Sequence, residues 1–215
     1  FSGGKWYFFI KSSGALLKNS WLTSEKKIYC AGSDGAMYAG GMRRINNKSG
    51  SYYYAFSARG IRLTGMRTYG GKTYFFETKA DGMRPDQSSQ GRMVTSQWRT
   101  WKSNQYYFTS NGAAAKNQRV GLYYVNANGV RVKNTWKGSR YYGSTGKAVS
   151  GLQTIGGVYY YFNTKTYEKV TNTTVKTGGV TYVFDSEGKG TIRKEDKAPA
   201  TTVNVQSTYY TDKYV

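Results

Sequence analysis

The amino-acid sequence predicts an all-β chain, a β-solenoid of about nine stacked β-hairpin repeats with little or no α-helix. Three observations carry that reading. Turn dipeptides recur after aromatic-rich runs, at Ser13-Gly14, Asp34-Gly35, Arg59-Gly60, Asp81-Gly82, Asn111-Gly112, Asn128-Gly129, Thr145-Gly146 and Glu187-Gly188; Asn-Gly and Asp-Gly are strong hairpin signals. A tryptophan pattern recurs as Leu17-Lys18-Asn19-Ser20-Trp21, Val94-Thr95-Ser96-Gln97-Trp98 and Val132-Lys133-Asn134-Thr135-Trp136. The 27 Gly stand against 2 Pro, and the apolar mass is largely 22 Tyr, which favours tight turns and short strands over helices. A closed barrel or sandwich would use similar strands, but the regular spacing favours a stack, of either hand.

Six places before the turn glycines stand Phe8, Tyr29, Tyr54, Phe76, Tyr106, Tyr123 and Tyr182, which mark a first strand in each repeat. Ala15 and Leu17, Ala36 and Tyr38, Ile61 and Leu63, and Val130 and Val132 follow the glycines with a period of two, which predicts a second strand. Five places after the glycine the chain has Asn19, Gly40, Gly65, Asn117, Asn134 and Gly151. Only Gly and Asn adopt positive φ cheaply, so a backbone reversal is expected there.

The interval from Gly82 to Gly112 is too long for one repeat, and Gly91 offers the alternative register. The surplus, Arg84 to Gln90 with Pro85 and two serines, reads as an inserted loop, and such loops often lie on a binding face. Tyr159, Tyr160, Tyr161 and Phe162 mark a degenerate copy. The repeats are expected over 1–192, followed by a linker at 193–202 around Ala198-Pro199-Ala200. Residues 203–215 would form an extra strand or begin a neighbouring domain. No apolar run is long enough to cross a bilayer. With neither a signal peptide nor an initiating Met, the chain is expected to be processed or excised.

The chain has no His and a single Cys30, so His-based catalytic constellations and an intrachain disulfide are excluded. The acidic pairs Asp185 with Glu187 and Glu77 with Asp81 fall in hairpin loops, where carboxylates favour turns, rather than in a glycosidase arrangement. No metal-ligand or phosphate-loop spacing occurs. A non-catalytic chain without cofactor or metal is expected. The sharper signal is aromatic: Trp21 with Tyr29, Trp98 with Tyr106 and Trp136 with Tyr141 and Tyr142 are candidate grooves. Each is expected to span two hairpins, with the inserted loop beside the second groove and with Trp101 and Lys18 as further candidates. Flat rings suit sugars or cations. The competing reading is that the rings plug the spaces between hairpins that cannot bury a core alone.

Four runs carry a family resemblance: Trp6-Tyr7-Phe8-Phe9 through Gly14, Tyr29 through Gly35-Ala36-Met37, Tyr106-Tyr107-Phe108-Thr109-Ser110-Asn111-Gly112, and Tyr182-Val183-Phe184-Asp185 through Gly188. They resemble the cell-wall-binding (choline-binding-type) and glucan-binding repeats of Gram-positive surface proteins, over nearly all of residues 3–192. The resemblance implies hairpins each rotated from the last, holding a secreted protein on wall polymer or α-glucan by non-catalytic contacts. Choline-binding members place a Trp in most repeats to build a three-ring cage, whereas this chain has only Trp6, Trp21, Trp98, Trp101 and Trp136. The glucan-binding members fit better, with Gln105, Gln118, Gln153 and Lys133 as polar support.

Charge adds a preference. The chain carries 32 basic and 11 acidic residues, a net +21, spread over the repeats. A phosphate-rich wall polymer such as teichoic acid is the leading partner, since counterion release and avidity both favour it. A cell-wall polysaccharide, or α-glucan bound as part of a glucansucrase-like enzyme, is the alternative. A surface spacer or fibre subunit that self-associates end to end is a third. Nucleic acid is disfavoured, because no basic-aromatic strand motif of the RNA-binding sheets occurs. The expected location is outside the cell, at the wall of a Gram-positive bacterium.

Overall fold

The computed structural model describes residues 1–79, 83 and 86–193, and these form strands and turns without a helix. The expected Asp81-Gly82 turn, the start of the inserted loop at Arg84 and Pro85, and all but the first residue of the expected linker and tail lie outside the described residues. The chain divides into two compact units, Phe1–Ala148 and the part from Val149 onward.

In the first unit, β1 (Ser20–Ser24) pairs with β2 (Lys27–Ala31), and β3 (Gly41–Asn47) with β4 (Gly50–Phe56), to which β5 (Arg62–Leu63) adds an edge. Next come the hairpins β6 (Gly65–Tyr69) with β7 (Lys72–Phe76), and β8 (Gln97–Trp101) with β9 (Asn104–Phe108). β10 (Gln118–Val120) with β11 (Tyr123–Val125), and β12 (Thr135–Lys137) with β13 (Arg140–Tyr142), complete the unit. In the second unit β14 (Gly151–Ile155) pairs with β15 (Val158–Phe162) and β16 (Thr173–Thr177) with β17 (Val180–Phe184), with β18 (Gly190–Ile192) between β15 and β17.

The hairpin tips differ from the sequence expectation. They fall at Glu25-Lys26, Gly70-Gly71, Lys102-Ser103, Gly156-Gly157 and Gly178-Gly179, where both residues have positive φ, the geometry of two-residue hairpin turns. The Asp-Gly and Asn-Gly turns instead link one hairpin to the next. At Gly35, Gly60, Gly112, Gly129, Gly146 and Gly188 the N–H donates to the carbonyl three residues back, with φ between 76° and 81°. Most of the expected second strands shrink to a single bridge, such as Phe108 with Ala114, Val125 with Arg131 and Tyr142 with Ala148.

The reason lies in where the backbone donors go. Two residues beyond the turn glycine, the N–H of Met93, Ala114, Arg131 and Ala148 donates to the carbonyl of Tyr53, Thr73, Gln105 and Leu122 respectively. The return segment therefore bonds to the preceding hairpin, which ties consecutive repeats together. The reversal at position five is present: Asn19, Gly40, Gly65, Asn117, Asn134 and Gly151 have φ between 45° and 75°. Gly91 is also in register, its N–H bonding to the Glu77 carbonyl at 2.8 Å across the insertion. Glu77 itself accepts from Arg99 at 2.8 Å and 3.0 Å. Burial pushes its carboxyl up, but the N–H of Lys79, the Arg99 guanidinium and the N–H of Thr78 together bring it below its ordinary range.

The core is aromatic. Phe56, Phe75, Phe76, Phe108 and Tyr142 are fully buried in the first unit, as are Phe162 and Phe184 in the second. Cys30 is 2% exposed, and burial pushes its thiol up to about 12. At neutral pH a thiol reagent will leave Cys30 of the folded protein unlabelled while labelling the denatured chain; rapid labelling of the folded protein would contradict this placement.

Candidate functional site

Side chains alternate along a strand, so each hairpin presents two faces. In β8–β9 the pairing of Trp98 with Tyr107 and of Thr100 with Gln105 puts these four on one face, and Arg99, Trp101, Tyr106 and Phe108 on the other. The second face packs on the preceding hairpin: Trp101 meets Phe75 edge-on at 5.7 Å, and Tyr106 packs against the cluster of Phe75, Val94 and Phe108. Trp101 and Tyr106 are thus packing residues, and the expected Trp98–Tyr106 pair is split between faces.

What Trp98 does face is Tyr107, at 5.4 Å within its own hairpin, and Tyr123, at 5.4 Å from the next. The Arg131 guanidinium completes the set, 5.9 Å from the Trp98 ring centre and 4.8 Å from that of Tyr123. A cleft of about 360 Å³ opens alongside, lined by Thr100, Ser103, Asn104, Gln105, Val130, Arg131 and Lys133. Rings from two consecutive hairpins thus meet at Trp98, with Tyr123 in the place expected for Tyr106.

The same parity splits the first pair. Trp21 lies opposite Cys30 and Tyr29 opposite Leu22, so Trp21 and Tyr29 point to opposite faces. Trp21 packs on Tyr54 at 4.8 Å, and its indole N–H donates to Asn47 Oδ1 at 2.9 Å. It lines a cleft of about 530 Å³ with Tyr38, Asn19, Asn46, Asn47, Lys48 and Asp86. Among its described residues the inserted loop reaches this cleft rather than Trp98: Asp86 lines it, and Gln90 Oε1 accepts from Arg62 at 2.9 Å, whose guanidinium sits 5.8 Å over Trp21. Tyr29 lines a separate aromatic cleft of about 300 Å³ with Trp6, Phe8, Leu22, Met37 and Arg59.

Trp136 and Tyr141 do meet, at 5.2 Å, but as cross-strand neighbours in one hairpin. Tyr142 is 1% exposed beside Tyr124 and belongs to the core. Lys18, Gln118 and Lys133 are exposed, and Gln153 donates to the Ser150 carbonyl at 2.9 Å. Gln105 Oε1 is buried with no hydrogen-bond partner among the described residues.

Sequence reasoning missed the resident cations. Besides Arg62 and Arg131, Arg92 lies 4.0 Å over Tyr52 and Lys137 lies 5.6 Å over Tyr124. A signal existed: Arg62 and Arg131 each stand two places after a turn glycine, Gly60 and Gly129.

Comparison with known proteins bears on this groove directly, because the description "Choline-binding repeat" matches residues 92–131, from Arg92 through both walls to Arg131. A second description, of a cell wall binding repeat, matches 1–16 and 150–165. Together these matches make three stretches of the chain similar to choline-binding-type cell-wall-binding repeats. The choline-binding domain of CbpL from Streptococcus pneumoniae shares the fold of these repeats, with a TM-score of 0.66 at 24% identity over 91% of this chain and 97% of that one. So does the modular autolysin LytC of Streptococcus pneumoniae in complex with a synthetic peptidoglycan ligand, with 0.64 at 20% identity over 89% of this chain and 46% of that one. Glucosyltransferase-S of Streptococcus mutans is 29% identical over 168 residues, which are 75% of this chain and 9% of the enzyme. The repeats therefore span a small part of that curated relative.

Proposed function

We propose that the chain is a non-catalytic wall-polymer-binding module that holds a secreted protein at the cell wall of a Gram-positive bacterium. One observation carries the reading: basic side chains lie over aromatic faces at Trp21, Tyr52, Trp98 with Tyr123, and Tyr124. The less buried of these cations, Arg92, Arg131 and Lys137, offer an acidic group a positive charge seated on a ring, while the aromatic cleft of Trp6, Phe8 and Tyr29 offers ring surface to a sugar. A phosphate-bearing glycan such as teichoic acid uses both, and repetition along polymer and protein multiplies weak contacts by avidity. Wall-binding repeats fit this role. In the first unit, the hydrogen bonds from each return segment to the hairpin before it support reading the hairpins as turns of a β-solenoid.

The second reading, an α-glucan-binding module, is favoured by the likeness to Glucosyltransferase-S. The cleft of Trp21, Tyr38, Asn46 and Asn47 has the amide-and-ring lining that a neutral sugar requires. Sedimentation with purified walls, with and without teichoic acid, beside insoluble α-glucan separates the two. With +21 net charge, affinity for intact walls should fall at least about tenfold as salt rises from low to moderately high concentration. It should hardly change between mildly acidic and neutral pH, because no His titrates there. Binding that ignores salt, survives removal of teichoic acid and is competed by free oligoglucose would overturn the anionic-polymer reading in favour of glucan.

A further inference from the structure

We infer that Arg131 is a specificity-determining residue: its guanidinium lies over the rings of Trp98 and Tyr123, and this aromatic cage, which Tyr107 borders, is thereby closed to quaternary ammonium ligands. The inference deepens the wall-polymer reading, since it concerns what the same groove accepts. Trp98 meets Tyr107 of its own hairpin and Tyr123 of the next, each at a centroid separation of 5.4 Å, and the negative faces of such rings attract a cation. That position is taken by the protein's own cation, at 4.8 Å from Tyr123 and 5.9 Å from Trp98.

The placement of Arg131 is built into the fold. Its backbone N–H donates to the Gln105 carbonyl, and Val125 bridges to it from β11, so its Cα is tied to both hairpins that form the cage. Arg131 forms no ion pair among the described residues, and its Nε is buried with no hydrogen-bond partner there. Ring faces, rather than a carboxylate, stabilise the guanidinium, and its charge stays whole. A trimethylammonium group entering the cage would have to displace the guanidinium and meet its charge at close range. An acidic group approaching through the cleft of Thr100, Asn104 and Lys133 would meet that same charge as an attraction.

The test uses the whole chain, labelled with 5-fluorotryptophan so that the Trp98 resonance is followed by fluorine NMR and assigned through Trp98→Phe. Choline is titrated into the parent, Arg131→Ala and Arg131→Gln, the last keeping a neutral side chain of similar length, with circular dichroism to confirm folding. The Trp98 signal should move saturably in both variants, with an apparent affinity at least about tenfold tighter than in the parent. A parent whose Trp98 responds to choline as strongly as the variants do would overturn the inference, as would folded variants whose Trp98 does not respond. The choline readout is independent of wall sedimentation by the parent, so failure of the wall-polymer reading and failure of the Arg131 assignment are distinguishable.

Discussion

Phe108→Ala lowers the unfolding free energy of the first unit by about 3–5 kcal/mol, the range for truncating a fully buried phenylalanine. Phe108 is 0% exposed and ends β9, paired with Gln97 and bridged to Ala114. Its ring lies 5.7 Å from Phe75, within a cluster that also takes Val94, Met66, Trp101, Tyr106 and Ala114. These residues come from two consecutive hairpins and the return segments that follow them. The short hairpins have little core of their own, so the cavity left by alanine removes contacts that hold one repeat to the next. Denaturant unfolding followed by tyrosine and tryptophan fluorescence measures the loss. A change under about 1 kcal/mol would show that neighbouring side chains close the space.

The ring that precedes Phe108 in sequence belongs to the proposed ligand surface. That ring, Tyr107, points the other way into the Trp98 groove. One strand therefore supplies packing on one face and the candidate ligand surface on the other, so aromatic residues adjacent in sequence have separate roles.

This division explains what the sequence disclosed and what it concealed. The reversals at Asn19, Asn117 and Asn134 were legible because few residue types adopt left-handed backbone without strain. The inserted repeat was legible because Gly91 keeps the register that the residues before it lose. The hairpin tips were hidden: Glu25-Lys26 and Lys102-Ser103 adopt positive φ without Gly or Asn, at exposed positions where the turn is imposed by the strands on either side. With those tips misplaced, the faces followed. Across a two-residue tip, residues an odd number of places apart share a face, as Trp21 and Cys30 or Trp98 and Tyr107 do. Trp21 and Tyr29, or Trp98 and Tyr106, are an even number apart and cannot. The cations over the rings were concealed for a different reason. Arg62 and Arg131 enter a composition only as charge, and their seat two places past a glycine gains meaning once that segment is seen to dock on the preceding hairpin.

Gly146→Ala should destabilise the first unit much more than Gly138→Ala, and the difference reports how closely one turn is packed on another. Both glycines have positive φ, 76° at Gly146 and 59° at Gly138, so either alanine incurs about 1–2 kcal/mol for left-handed backbone. At Gly138 nothing lies within 4 Å of the added methyl group, and that term is the whole effect. At Gly146 the methyl carbon would sit 2.9 Å from the Val132 carbonyl oxygen and 3.1 Å from Arg131 Nε. A backbone oxygen moves only with its chain segment, so overpacking adds about 1–3 kcal/mol. The same displacement presses on the guanidinium that lies over Trp98, and the Gly146→Ala variant should therefore show a shifted Trp98 fluorine resonance even without ligand, which Gly138→Ala should not. Thermal and denaturant unfolding of the two variants beside the parent provide the comparison. Equal losses would mean that the turn at Gly146 has room to lift off Val132, and the close contact between successive turns would then contribute nothing to holding the repeats in register.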